Sequence, residues 1–186
     1  SDVCSSDLGG VDGYKMPKGT GLNPDEITLA EMLKQKNYVT TCIGKWHVGH
    51  EKPFFPTKQG FDSFYGILMS NNQTTELYRD DKIIQDPYEN KYLTEMFNKE
   101  AIQFIDKNKD KPFFLYLPHS APHFPKDPRG PVEAHPDWDG KSNKGEYVDV
   151  IEEVDYRMGE IQATLKKHNI EDNTIIIFTS DNGPQG

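Results

Sequence analysis

Apolar positions along this chain follow two rhythms that take turns. Leu29, Met32 and Leu33 recur at helical spacing just after Thr28, and Thr28 with Glu31 three residues on makes a capping box, so a first helix is predicted there. Phe97, Ala101, Phe104 and Ile105 predict a second helix over about residues 93–107. Tyr147, Ile151, Val154, Met158, Ile161 and Leu165 step by four and three, which predicts a long amphipathic helix over about residues 146–167. Between these lie β-type runs. Residues 38–43 (Tyr-Val-Thr-Thr-Cys-Ile) are rich in β-branched side chains. Residues 112–117 form a continuous apolar run, predicted as a strand buried on both faces. Residues 174–179 (Thr-Ile-Ile-Ile-Phe-Thr) carry the strongest strand signal of all.

Helix and strand in alternation predict βαβ units, hence an α/β fold with a mostly parallel sheet flanked by helices. Residues 9–24 read as a Gly-rich loop, residues 53–92 as a loop-rich region with several aromatics, and residues 118–140 as loop crowded with Pro and Gly. Residues 1–8 share no pattern with the rest of the chain and are expected to be a non-matching tail. Residues 9–186 are expected to be one piece of a single domain.

Composition narrows the function classes. Net charge is −9 and no Lys/Arg block is present, which argues against a nucleic-acid partner. Mean hydropathy is −0.77, and no stretch approaches the roughly 20 apolar residues of a membrane span. No basic segment followed by an apolar core stands at the N-terminus. Two cysteines, Cys4 and Cys42, are too few for a disulfide framework. Gly-x-Ser-x-Gly, a P-loop and a strand-linked Gly-x-Gly-x-x-Gly are all missing, which removes three common enzyme readings.

Three predicted strands each end in chemistry-bearing residues: Gly44-Lys45-Trp46-His47, Pro118-His119-Ser120-Ala121-Pro122-His123-Phe124-Pro125, and Thr179-Ser180-Asp181-Asn182-Gly183-Pro184. Open α/β sheets bind ligands at the carboxyl ends of their strands, so the three are expected to converge. In extended chain Lys45 and His47 point to one side, where a lysine holds an anion and a histidine moves protons. A solvated lysine beside a structural histidine is the plain alternative. Asp181 and Asn182 are hard oxygen donors suited to Ca²⁺ or Mg²⁺, although Asp-Asn-Gly-Pro is also turn chemistry. Pro118, Pro122 and Pro125 exclude a helical His-x-x-x-His zinc site. His123 is the better substrate contact, and His119 reads equally as a hydrogen-bonded structural residue. His50, His135 and His168 read as surface or helix-end residues.

In this order the motifs resemble the type I sulfatases, the arylsulfatase A-like branch of the alkaline-phosphatase superfamily. Leu22-Asn23-Pro24-Asp25-Glu26-Ile27-Thr28-Leu29-Ala30-Glu31, Pro56-Thr57-Lys58-Gln59-Gly60-Phe61-Asp62 ahead of Tyr65-Gly66, and Glu152-Glu153-Val154-Asp155 add to the likeness. The resemblance implies an incomplete alkaline-phosphatase-like core and sulfuric-ester hydrolysis with a formylglycine nucleophile and Ca²⁺. It implies that Asp181 and Asn182 are two of the metal ligands and that Lys45 contacts the sulfate. His47 would assist regeneration of the aldehyde, and His123 would hold the sulfate near the leaving oxygen. It also implies a periplasmic, secreted or lysosomal setting, and a sulfate-ester small molecule or glycan as partner.

Two features depart from that pattern. Neither Cys4 nor Cys42 sits in Cys-x-Pro-x-Arg, and an Asp-Asp ligand pair on a first strand is missing. The chain is therefore read as an internal fragment whose nucleophile lies upstream, and it is expected to be inactive alone. A phosphodiesterase or phosphonate hydrolase of the same superfamily, and a non-catalytic anion-binding remnant, are the alternatives. Loops such as residues 70–89 and 126–144 are expected to set specificity, and Asn72-Gln73-Thr74 matches a glycosylation sequon.

Overall fold

The computed structural model describes residues 19–123 and 133–180. Within them three helices, α1 (Leu29–Lys34), α2 (Leu93–Asn108) and α3 (Glu146–Lys167), accompany five strands. The strands are β1 (Val39–Lys45), β2 (Ser63–Ile67), β3 (Leu77–Arg79), β4 (Lys82–Gln85) and β5 (Phe113–Tyr116). They form one sheet in the order β4-β3-β2-β1-β5. β1 runs parallel to both neighbours, with Thr41 opposite Ser63 on β2 and Leu115 on β5. β3 and β4 continue the sheet as an antiparallel hairpin. The mostly parallel α/β architecture is thus as the patterning predicts.

Alternation along the strands divides the core between the two sheet faces. Ile43, Tyr65 and Ile67 join Leu93, Phe97, Ala101 and Ile105 of α2 and Ile161 and Leu165 of α3 on one face. Cys42 and Phe64 join Ala30, Trp46, Phe55, Phe61 and Leu68 on the other. Each of the larger side chains contributes about 2–3 kcal/mol by leaving water. The capping box forms as expected: Thr28 Oγ1 accepts from Glu31 N–H, and Glu31 accepts from Thr28 N–H.

Helix faces differ from the predicted stripes. Leu29 and Met32 are exposed, because the six-residue α1 sets only Ala30 into the core. On α3, Tyr147 and Ile151 face outward while Val150 and Arg157 are buried. Arg157 lies between the helices and pairs with Glu153 at 3.4 Å, Glu160 at 3.2 Å and Glu95 of α2 at 3.5 Å. An ionic cluster therefore interrupts the apolar seam.

Three strand expectations need correction. Residues 53–92 are loop-rich as expected, but they also hold β2, β3 and β4, which the patterning did not predict. Each is only three to five residues long, and β4 is exposed throughout, so none displays a long apolar run. β5 is not buried on both faces: it stands at the sheet edge, with Tyr116 exposed. Residues 174–179 form no strand among the described residues. Ile175, Ile177 and Phe178 are 89%, 82% and 71% exposed. A ladder needs a neighbouring edge as well as β-branched side chains, and no described strand pairs with this run.

Candidate functional site

β1, β2 and β5 are parallel, so their carboxyl ends share one edge of the sheet. There the backbone is drawn together tightly. Lys45 N–H donates to Pro118 O at 2.7 Å, Trp46 N–H to Ile67 O at 2.9 Å and His47 N–H to Leu68 O at 3.1 Å. Gly44 makes this approach possible, because a Cβ on it would collide with the Pro118 carbonyl, and its φ of 138° suits glycine. The loops after three strands thereby deliver Lys45, His47, Ser70 and His123 to one place.

Lys45 is the last residue of β1, and both it and His47 are half-buried. Contrary to expectation, the chain does not stay extended between them. His47 has a left-handed backbone with φ of 54°, which turns the chain off the strand. The two side chains remain electrostatic neighbours nonetheless. Burial, then the Lys45 charge, then His123 and His50 push the His47 imidazole down to about 4, against a smaller opposing effect of its hydrogen bond to Gln73. His47 is therefore neutral at physiological pH, a proton acceptor beside a cation.

Two residues outside the sequence motifs complete the cluster. Gln73 Oε1 lies 3.2 Å from His47 Nε2, and Ser70 Oγ lies 3.5 Å from His123 Nδ1. Both belong to one turn, in which Gln73 N–H and Thr74 N–H donate to Ser70 O. Recognising β2 would have pointed to them, since the turn begins three residues beyond its end. His123 is exposed, as suits a group that meets a ligand.

The remaining histidines divide differently from expectation. His119 is not hydrogen-bonded: both ring nitrogens are buried without a partner, near the Phe97 ring, and burial pushes it down to about 4. His135 is buried rather than at the surface, edge-on to Tyr92. His168, at the end of α3, contacts Asp106 at 2.5 Å.

Asp181 and Asn182 lie outside the described residues, as does Cys4. Among the described residues no group of three or more His, Cys, Asp or Glu is placed to hold a metal ion. Cys42 is no nucleophile either: it is wholly buried on the α1 side of the sheet, and burial pushes its thiol far up.

A family model described as Sulfatase matches residues 6–186. The chain belongs to the sulfatase family. It is 34% identical over 181 residues to the human (Homo sapiens) N-acetylgalactosamine-6-sulfatase, a match covering 88% of this chain and 34% of that protein. A structure from work on glycosaminoglycan metabolism by Bacteroides thetaiotaomicron superposes with a TM-score of 0.78 at 25% identity, covering 90% of this chain and 49% of that one. The structure of Ps i-CgsB in complex with k-i-k-neocarrahexaose gives 0.74 at 30% identity, with 95% and 44% covered. This sulfatase-family chain thus spans about a third of the length of the relatives it matches in sequence. No described helix is long and apolar enough to cross a membrane.

Proposed function

We propose that the chain forms the sulfate-holding face of a sulfuric-ester hydrolase whose substrates are sulfated sugars. One observation carries the reading: in a sulfatase-family chain, Lys45, His47, Ser70 and His123 gather at the carboxyl edge of three parallel strands. Lys45 supplies a fixed positive charge for a sulfate oxygen, and it holds most strongly where water is displaced. His123, exposed and beside Ser70, would meet the ester oxygen that leaves. His47, kept neutral by burial and by Lys45, accepts a proton at the reacting end.

Asp181 and Asn182 are proposed to give two oxygen ligands to a Ca²⁺, which when bound would neutralise charge on the transferring group. The nucleophile, a formylglycine in this family, is proposed to come from sequence beyond these 186 residues. A sulfated glycan is the favoured substrate class because one relative is named N-acetylgalactosamine-6-sulfatase and a solved neighbour is in complex with k-i-k-neocarrahexaose. A periplasmic, secreted or lysosomal setting goes with that substrate class.

Joining the chain to an upstream segment bearing Cys-x-Pro-x-Arg, co-expressed with a formylglycine-generating enzyme, tests the proposal. Release of sulfate from N-acetylgalactosamine 6-sulfate, lost in Lys45→Ala, is the expected result. Faster turnover of an aryl phosphodiester than of any sulfate ester would overturn it in favour of a phosphodiesterase.

A further inference from the structure

The turn at residues 70–73 does more than lie beside the histidines, because its hydrogen bonds determine which nitrogen of His47 carries the proton. Gln73 Oε1 sits 3.4 Å from the Ser70 backbone nitrogen. A backbone N–H only donates, so the atom facing it is the amide oxygen, and the orientation of the Gln73 amide is set. The same oxygen faces His47 Nε2 at 3.2 Å. An amide oxygen only accepts, so Nε2 must bear hydrogen. In a neutral imidazole the other nitrogen, Nδ1, then keeps its lone pair. The surroundings of His47 favour the neutral form: Lys45, His123 and His50 all disfavour its charged form, as does burial, and none of the charged neighbours acting on it among the described residues is a carboxylate.

We propose that Gln73 is a positioning residue that holds His47 as the Nε2–H tautomer and so makes Nδ1 the nitrogen that accepts a proton during ester hydrolysis. The inference rests on the function proposed above for the reaction, though not for the tautomer. In the proton transfer an O–H bond of the reacting hydroxyl breaks and its electron pair stays on the oxygen, an Nδ1–H bond forms from the ring's lone pair, and the imidazolium so made lies beside Lys45. That neighbouring charge favours prompt return of the proton to water.

Long-range ¹H–¹⁵N spectra of the histidine rings in the full chain at pH 7.5 report the tautomer directly, with His47 assigned by its loss in a His47→Gln variant. The expected wild-type spectrum has Nε2 protonated and Nδ1 as the lone-pair nitrogen. Gln73→Met removes the acceptor and should lower the tautomer ratio about fivefold, the value of one ordinary hydrogen bond, without moving the His119 resonances. Gln73→Glu keeps an acceptor and adds a negative charge, so it should preserve the tautomer and raise the pH at which His47 titrates. A wild-type Nδ1–H tautomer, or an unchanged ratio in Gln73→Met, overturns the proposal. If Gln73→Met does not fold, Gln73→Glu decides: an unaltered His47 titration overturns it. None of these readings needs turnover, so a joined enzyme inactive on every sulfate ester would overturn the function and leave the tautomer measurement to stand or fall alone.

Discussion

His119 should make this domain acid-sensitive well above the range where carboxylates titrate. Both of its ring nitrogens are buried without a partner, and burial lowers its proton affinity until it titrates at about 4. An unfolded histidine titrates near 6.5. As pH falls below 6.5 the unfolded chain takes up a proton that the folded chain refuses, so stability decreases until about pH 4, where the folded ring is protonated too. Across the whole window a difference of this size amounts to about 3 kcal/mol; between pH 7.5 and 5.0 alone it is about 2 kcal/mol. His47, also lowered to about 4, adds a decline of the same sign over the same window. Carboxylates held down by partners, such as Asp62, Asp106 and Asp149, lose their contributions only below the ordinary carboxylate range, so they do not mask it. The assay is the urea midpoint at pH 7.5 and at pH 5.0 for wild type and His119→Phe. The variant places a ring of similar size beside Phe97 and abolishes one of the two titrations. It should be at least as stable as wild type at pH 7.5 and should lose about 2 kcal/mol less on going to pH 5.0. An equal loss in both proteins would refute the reasoning.

Gly44→Ala should destabilise the chain by more than about 2 kcal/mol and reduce anion binding, since the new methyl meets the Pro118 carbonyl that Lys45 N–H bonds to; thermal melts and sulfate titration check both. Thr28→Ala removes the α1 cap and the hydroxyl's bond to Gln59 O, and should cost about 1–2 kcal/mol by urea denaturation. Cys42 should resist thiol reagents in the native protein and react only on unfolding, which absorbance of the released thiolate would follow. Arg79→Ala, despite losing a two-bond pairing with Glu100 at 2.6 and 2.8 Å, should change stability by no more than about 1 kcal/mol, because Arg79 is half exposed.

Local pattern determined a good deal of this protein. α2 and α3 were legible from 3.6-residue periodicity, the start of α1 from Thr28 and Glu31, and β1 from its β-branched run, because each of these signals lies within one stretch of chain. The ordered motifs around Lys45, His47 and His123 were likewise enough to point to the sulfatase family. Tertiary structure alone decided which faces are inside. Arg157 is buried because Glu95 approaches from another helix, and it is Val150, not Tyr147, that packs against Ala134 and Trp138, leaving Tyr147 exposed. It also decided that β-branched residues 174–179 form no strand among the described residues, since pairing depends on a neighbour that no local pattern contains. Ser70 and Gln73 lie in a loop expected to set specificity, but their place beside His123 and His47 was not legible for the same reason. Nothing in Ser-Asn-Asn-Gln points to a histidine partner until β2 brings that turn against β1, and only there does an amide oxygen meet the His47 ring.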